Sequence, residues 1–264
     1  MFLGDSLTEG VGSKRISHVA ELAKRLGASE FRLRPIDSSN GQVDFNVAGL
    51  MNAATSDLWL WNLACEGKTV ETDFEWLPLI SALRPELVVV FRGSLESIIR
   101  PAMLWSDAWP WWVPRAWRNY SAMDPRCYFS ATWWRKAKQT SVDALKQKAR
   151  LKLLSQQPGK PLMELEKFAE YQSELLQKLR ALGARVLVLG LLPVSETCFP
   201  NSPEYFAKVN EKLREIANAA GAEFLDWASQ LPANRTHAEL FYRDSFHPNE
   251  AGARALSEIL LQAL

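Results

Sequence analysis

The chain predicts an α/β fold, a parallel sheet with helices on both faces. Three observations along its 264 residues carry that prediction. Short apolar runs alternate with longer segments of helical spacing, the order expected of βαβ units. One run, Leu87–Phe91, is apolar throughout, as in a strand covered on both sides. The first run stops at Gly4-Asp5-Ser6 and a helical pattern follows, which reads as strand, tight turn, helix. Open α/β sheets bind their ligands at that edge, and helix N-termini there favour negative charge. The same three residues could equally be a plain helix N-cap.

Taken in order, residues 16–26 carry apolar positions at helical spacing and end at Gly27, a helix with its C-terminal glycine. His18 reads as a surface residue of that helix. Phe31-Arg32-Leu33 and Val43–Val47 flank an Asn40-Gly41 turn and predict a small hairpin outside the core. Leu58–Asn62 is the second core strand, with Trp59 and Trp61 on one face as packing residues. Leu87–Phe91 is the third, Arg185–Gly190 the fourth and Glu223–Asp226 the fifth. Helices precede the last two over Pro161–Leu182 and Pro203–Ala220, and Glu250–Leu264 is a helical tail.

Bulk properties narrow the function classes. A formal net charge of +1 gives no field that would recruit nucleic acid. Three widely spaced cysteines, Cys65, Cys127 and Cys198, suit neither a disulfide framework nor a zinc site. No apolar run approaches 18 residues, so no stable membrane insertion is expected, and the chain as given reads as cytoplasmic. No metal or nucleotide motif stands out, and no cofactor is implied.

Chemistry concentrates at the two ends. Near the carboxy terminus the sequence reads Phe241-Tyr242-Arg243-Asp244-Ser245-Phe246-His247-Pro248. A nucleophilic serine needs a base within hydrogen-bond reach, and the base needs a carboxylate to set its tautomer. A D-x-x-H turn offers both from one segment. Of the three histidines, His18 lies in a helix and His237 in a polar stretch, which leaves His247 in a catalytic context.

These ends resemble the GDSL esterases and lipases, the SGNH hydrolases. The N-x-x-x-x-G-x-T run of that family is matched by Asn62–Thr69, which places its glycine at Gly67. The turn after the third strand departs from the family's G-x-N-D. It reads Gly93-Ser94-Leu95-Glu96, with Leu95 where the asparagine belongs and Glu96 where an aspartate is usual. The resemblance implies a three-layer α/β/α sandwich with a flavodoxin-like, five-stranded parallel sheet. It also implies Ser6 as nucleophile, His247 as base, Asp244 as its orienting acid, and Ser6 and Gly67 as oxyanion-hole donors. Leu95 offers no third donor, so Arg92, Ser94 or an inserted residue would supply one, or two would suffice. Asp5, Gly93 and Ser94 flank this edge and are candidate substrate contacts.

About residues 100–160 form the least family-like segment, inserted in an otherwise single domain spanning 1–264. It holds seven of the eleven tryptophans, and Arg100–Arg150 carries ten Lys/Arg against three Asp. Pro101, Pro110, Pro114 and Pro125 break its first half into turns, and Thr132–Leu154 reads as a basic helix. Three readings compete: a cap with its own small core, a substrate lid, and a membrane-surface patch. As a lid, Trp105, Trp109 and Trp112 would line an acyl or sugar pocket, while arginines would hold an anionic acceptor or acyl carrier. The leading functional expectation is a serine hydrolase of small acyl esters or acylated sugars. The alternatives are an acyltransferase and a catalytically weak binding protein.

Overall fold

A computed structural model describes residues 1–12, 16–33, 58–106, 108–127 and 132–264. Its centre is a six-stranded, wholly parallel sheet in the order β2-β3-β1-β4-β7-β8. The strands are β1 (Phe2–Gly4), β2 (Ser29–Arg32), β3 (Trp59–Asn62), β4 (Leu87–Phe91), β7 (Arg185–Leu189) and β8 (Glu223–Leu225). Leu3 pairs with Val90 and Val89 with Leu187, so β1 and β4 run through the middle of the molecule. Val88, Val89 and Val90 are fully buried, which is why this run shows no alternation.

The sheet has one strand more than the five expected, and the extra one corrects the hairpin reading. Ser29–Arg32 pairs in parallel with β3, and Phe31 stacks on Trp61 at 4.9 Å. The Asn40-Gly41 turn and Val43–Val47 lie outside the described residues. A parallel edge strand needs no hairpin partner, and a three-residue alternation does not distinguish the two.

Two helical layers cover the sheet. Helices α2 (His18–Leu26) and α10 (Glu250–Ala263) pack together, as do α7 (Leu165–Ala181) and α8 (Ser202–Ala219). His18 is a correction as well: it is buried, not a surface residue of α2. Its ring meets Phe2, Phe91 and Trp227 edge-on, and burial lowers its pKa to about 3.

Two short helices sit at the carboxyl ends of the central strands: α1 (Ser6–Glu9) after β1 and α4 (Ser94–Ser97) after β4. Between them in sequence lies α3 (Leu77–Leu83), which carries the chain back to β4. Strand order reverses between β1 and β4, and a crevice opens beyond their carboxyl ends. Ser6 stands at that point.

The insertion leaves the sheet just after α4. Its ends are clamped by an antiparallel ribbon, β5 (Arg100–Pro101) with β6 (Gly159–Lys160). Between them run short turns, α5 (Tyr120–Met123) and the long α6 (Trp133–Gln156). Met103, Val113, Met123 and Leu153 form a small apolar cluster apart from the main core, with Trp109, Trp112 and Trp117 packed on it. Among the described residues no helix is long and apolar enough to cross a membrane.

Candidate active site

Ser6 is set by the abrupt end of β1. Asp5 is the N-cap of α1, and its Oδ1 accepts the Leu7 N–H at 2.9 Å. Ser6 is therefore the first residue of the helix, where its own N–H has no intrahelical acceptor. Asp5 is 1 % exposed, serves as the cap, and is not among the residues that line the cavity over Ser6.

Asp244 and His247 come from the turn between α9 (His237–Leu240) and α10. Ser245 takes a left-handed backbone, φ 54°, and the Tyr242 N–H bonds the His247 carbonyl at 2.8 Å, closing the turn. Asp244 Oδ1 accepts the N–H groups of Phe246 and His247, both at 3.1 Å. Its other oxygen, Oδ2, lies 2.6 Å from His247 Nδ1. His247 Nε2 lies 2.9 Å from Ser6 Oγ. With Asp244 ionised, Nδ1 carries the proton and Nε2 is free to accept the serine proton. Residues 241 positions apart thus form a continuous relay.

The loop carrying Gly67 is tied on both sides. The N–H of Ala64 bonds Asn62 Oδ1 at 3.2 Å, that of Cys65 the Gly4 carbonyl at 3.1 Å, and that of Glu66 the Glu9 carboxylate at 2.7 Å. On the far side Arg92 donates to the Lys68 carbonyl at 2.7 Å, and the Val70 N–H bonds Glu96 Oε1 at 2.8 Å. Gly67 has φ 72°, a conformation open to glycine at little cost. Its N–H has no protein acceptor among the described residues, and Gly67 lines the same cavity as Ser6.

Glu96 and Arg92 were not anticipated as a unit. Glu96 is fully buried and also accepts the Gly93 N–H at 3.2 Å; burial pushes its carboxyl up to about 7 against the opposing charge of Arg92. Arg92 meets Asp73 through both oxygens, Nε to Oδ2 at 2.7 Å and Nη2 to Oδ1 at 2.5 Å, with neither side chain exposed. A separation of 19 positions leaves no local pattern that could announce the pair.

A cavity of about 340 Å³ opens over the relay. Ser6, Gly67, Asp244 and His247 all line it, with Leu95 and Phe246 on its apolar side. The insertion adds a wall, Asp124–Cys127, and Arg100 pairs with Asp124 at 2.8 Å. Six expected substrate contacts are not among its lining residues. Besides Asp5, Gly93 and Ser94 are buried in the turn, and a side chain at Gly93 would press on Phe168 and Leu191. Trp109 and Trp112 pack on the insertion's own cluster, and Trp105 is exposed there. Both named candidates for the third oxyanion donor are occupied or off the cavity: Arg92 is held by Asp73, and Ser94 is buried.

Cys127 Sγ, an Asp244 oxygen and a His247 nitrogen lie within 4.8 Å of one another, the one such metal-capable set among the described residues. Two of its three members are already engaged in the relay.

Comparison with known proteins agrees with this fold. Residues 161–255, which include Asp244 and His247, match the model of the GDSL-like Lipase/Acylhydrolase family. That part of the chain is thus similar to the GDSL-like lipases and acylhydrolases. The solved structures similar to it share the fold at low identity. The α/β hydrolase LAE5 from the metagenome of Lake Arreo, Spain, is 15 % identical with a TM-score of 0.55, over 99 % of this chain and 92 % of that one. The lipase/acylhydrolase from Enterococcus faecalis is 12 % identical with a TM-score of 0.55, over 99 % and 93 %. The psychrotrophic esterase EstA from Pseudoalteromonas sp. is 12 % identical with a TM-score of 0.52, also over 99 % and 93 %. No curated protein sequence matches the chain. Its third-strand turn departs from the pattern of that family at Leu95 and Glu96.

Proposed function

We propose that the protein hydrolyses carboxylic esters of small acyl groups, including acylated sugars and metabolites, through an acyl-enzyme on Ser6. The observation that carries this reading is the relay itself, 2.9 Å from Ser6 Oγ to His247 and 2.6 Å from His247 to Asp244, opening on a cavity. Ser6 Oγ attacks the ester carbonyl while its proton passes to His247 Nε2. The backbone N–H groups of Ser6 and Gly67 hold the oxyanion. His247 then returns the proton to the departing alcohol, and water activated by the same nitrogen releases the acid. Asp244 orients the ring throughout.

A second reading, transfer of the acyl group to a hydroxyl or amine acceptor, is favoured by Leu95 and the inserted wall, which line the cavity beside Ser6 and would limit water at the acyl carbon. In both readings the insertion serves as a lid over the site. None of the three cysteines is in a disulfide, which supports a protein at work in a reducing compartment such as the cytoplasm.

The test is intact-protein mass and nitrophenol release with p-nitrophenyl acetate and butyrate, wild type beside Ser6→Ala. A hydrolase turns over rapidly and loses about 10³ or more of its rate in the variant. Stable acylation of Ser6 without turnover selects the transferase. Equal rates in the two proteins would remove Ser6 from the chemistry.

A further inference from the structure

A second concavity of about 550 Å³ lies on the insertion, lined by Arg126, Trp134, Arg135, Lys138, Asp143 and Lys146, among others. Four of these residues are cationic and one is acidic. The acid is already engaged, because Arg243 lies 2.7 Å from the Asp143 carboxylate. Lys146 is partly committed, donating to the Ala122 carbonyl and lying 5.9 Å from the Trp117 ring centroid. Arg126, Arg135 and Lys138 have no acidic partner among the described residues, and Arg135 lies over the half-exposed Trp134 ring at 5.0 Å.

Position makes this groove relevant to the relay. Arg126 lines both the groove and the cavity over Ser6. Helix α6, which supplies most of the groove, is fastened to the catalytic turn: Asp143 meets Arg243, the neighbour of Asp244. Gln147 donates to the Thr197 carbonyl at 2.7 Å, and Arg150 donates to the Cys198 carbonyl. The groove therefore holds a defined place beside the reacting serine.

Three unpaired cations, two of them guanidinium forks, exceed what one carboxylate would balance, whereas a phosphate carries close to two charges and three acceptor oxygens. We propose that this groove binds the phosphate of a soluble phosphorylated ester, on the alcohol side of the bond that Ser6 attacks. The inference rests on the ester-hydrolase reading for its orientation, while the phosphate site can be tested without catalysis.

Calorimetric titration of the Ser6→Ala protein with 1-butyrylglycerol 3-phosphate and with 1-butyrylglycerol compares two ligands that differ only in the phosphate. The phosphorylated ester is expected to bind at least about tenfold more tightly, with inorganic phosphate competing and added salt eroding the difference. Arg135→Gln with Lys138→Gln, added to Ser6→Ala, should bring the affinity ratio toward one. Equal affinities, no binding of either ligand, or a ratio that survives the double change would overturn the inference. Hydrolysis of the two esters by wild type is measured alongside. Phosphate-dependent binding without any turnover would retain the groove and reject the ester reading; turnover of both esters at equal kcat/KM, with equal affinities, would do the reverse.

Discussion

Leu95→Asn restores the side-chain donor that the family places beside the nucleophile. Leu95 is 9 % exposed and lines the cavity with Ser6 and Gly67, so an amide there faces the reacting carbonyl. One oxyanion donor is worth about 10²–10³ in rate, and neither Arg92 nor Ser94 lines the cavity. Losing a largely buried leucine costs roughly 2 kcal/mol, which a domain stable by about 5–15 kcal/mol tolerates. The variant should therefore fold and raise kcat on p-nitrophenyl butyrate by up to about 10²-fold, through both acylation and deacylation. Leu95→Ala enlarges the cavity without adding a donor and separates space from hydrogen bonding. Steady-state kcat, with the burst phase recorded for each protein, reads the effect. A folded Leu95→Asn whose kcat equals that of Leu95→Ala would refute the assignment of this corner of the cavity to the oxyanion.

Asp244→Asn keeps an acceptor for the N–H groups of Phe246 and His247 but cannot hold the Nδ1–H tautomer with a charge. Ester turnover should fall by about 10³–10⁴ with the melting temperature changed only slightly, measured by steady-state kinetics beside thermal unfolding. Glu96 gives a signed pH effect. Its folded pKa, about 7, lies above the ordinary 4.5, so its contribution is complete below pH 4.5 and is lost as pH rises through 7. The span corresponds to on the order of 3 kcal/mol. His18 acts oppositely: its pKa near 3 means stability present above pH 6.5 and lost as pH falls. The stability of wild type relative to Glu96→Gln, from urea unfolding, should therefore grow between pH 8 and pH 5, because both proteins share His18. A difference independent of pH would show that Glu96 does not titrate in this range.

The parts of the molecule legible in the sequence are those set by short-range pattern. The Asp244–His247 turn is one, since three residues of spacing suffice to put both side chains on one proton path. The strand Leu87–Phe91 is another, as its apolar run admits few other placements. His18 was misread because a helix of nine residues shows its polar ring but not the cage around it. That cage comes from Phe2, Phe91 and Trp227, three elements far apart in the chain. The packing of the tryptophans was hidden for a related reason. Aromatic content near a catalytic edge is compatible with a pocket or a satellite core, and the cluster of Met103, Val113, Met123 and Leu153 on which Trp109, Trp112 and Trp117 pack is assembled only by the fold.

The two substitutions in the third-strand turn belong together. Glutamate at position 96 is one methylene longer than the usual aspartate, and its two oxygens take the N–H groups of Gly93 and Val70, 26 residues apart in the second case. It thus joins the turn after β4 to the loop of Gly67, while Arg92 holds the same loop by the Lys68 carbonyl and is itself fixed by Asp73. Preorganised donors stabilise a developing oxyanion only as far as their mounting resists movement. Leu95 offers no side-chain donor; Glu96 and Arg92 brace the loop that carries Gly67, whose N–H is the proposed backbone donor beside that of Ser6. On the proposed hydrolase reading the oxyanion relies on main-chain N–H groups, and the apolar face that Leu95 presents to the cavity is available to the acyl chain.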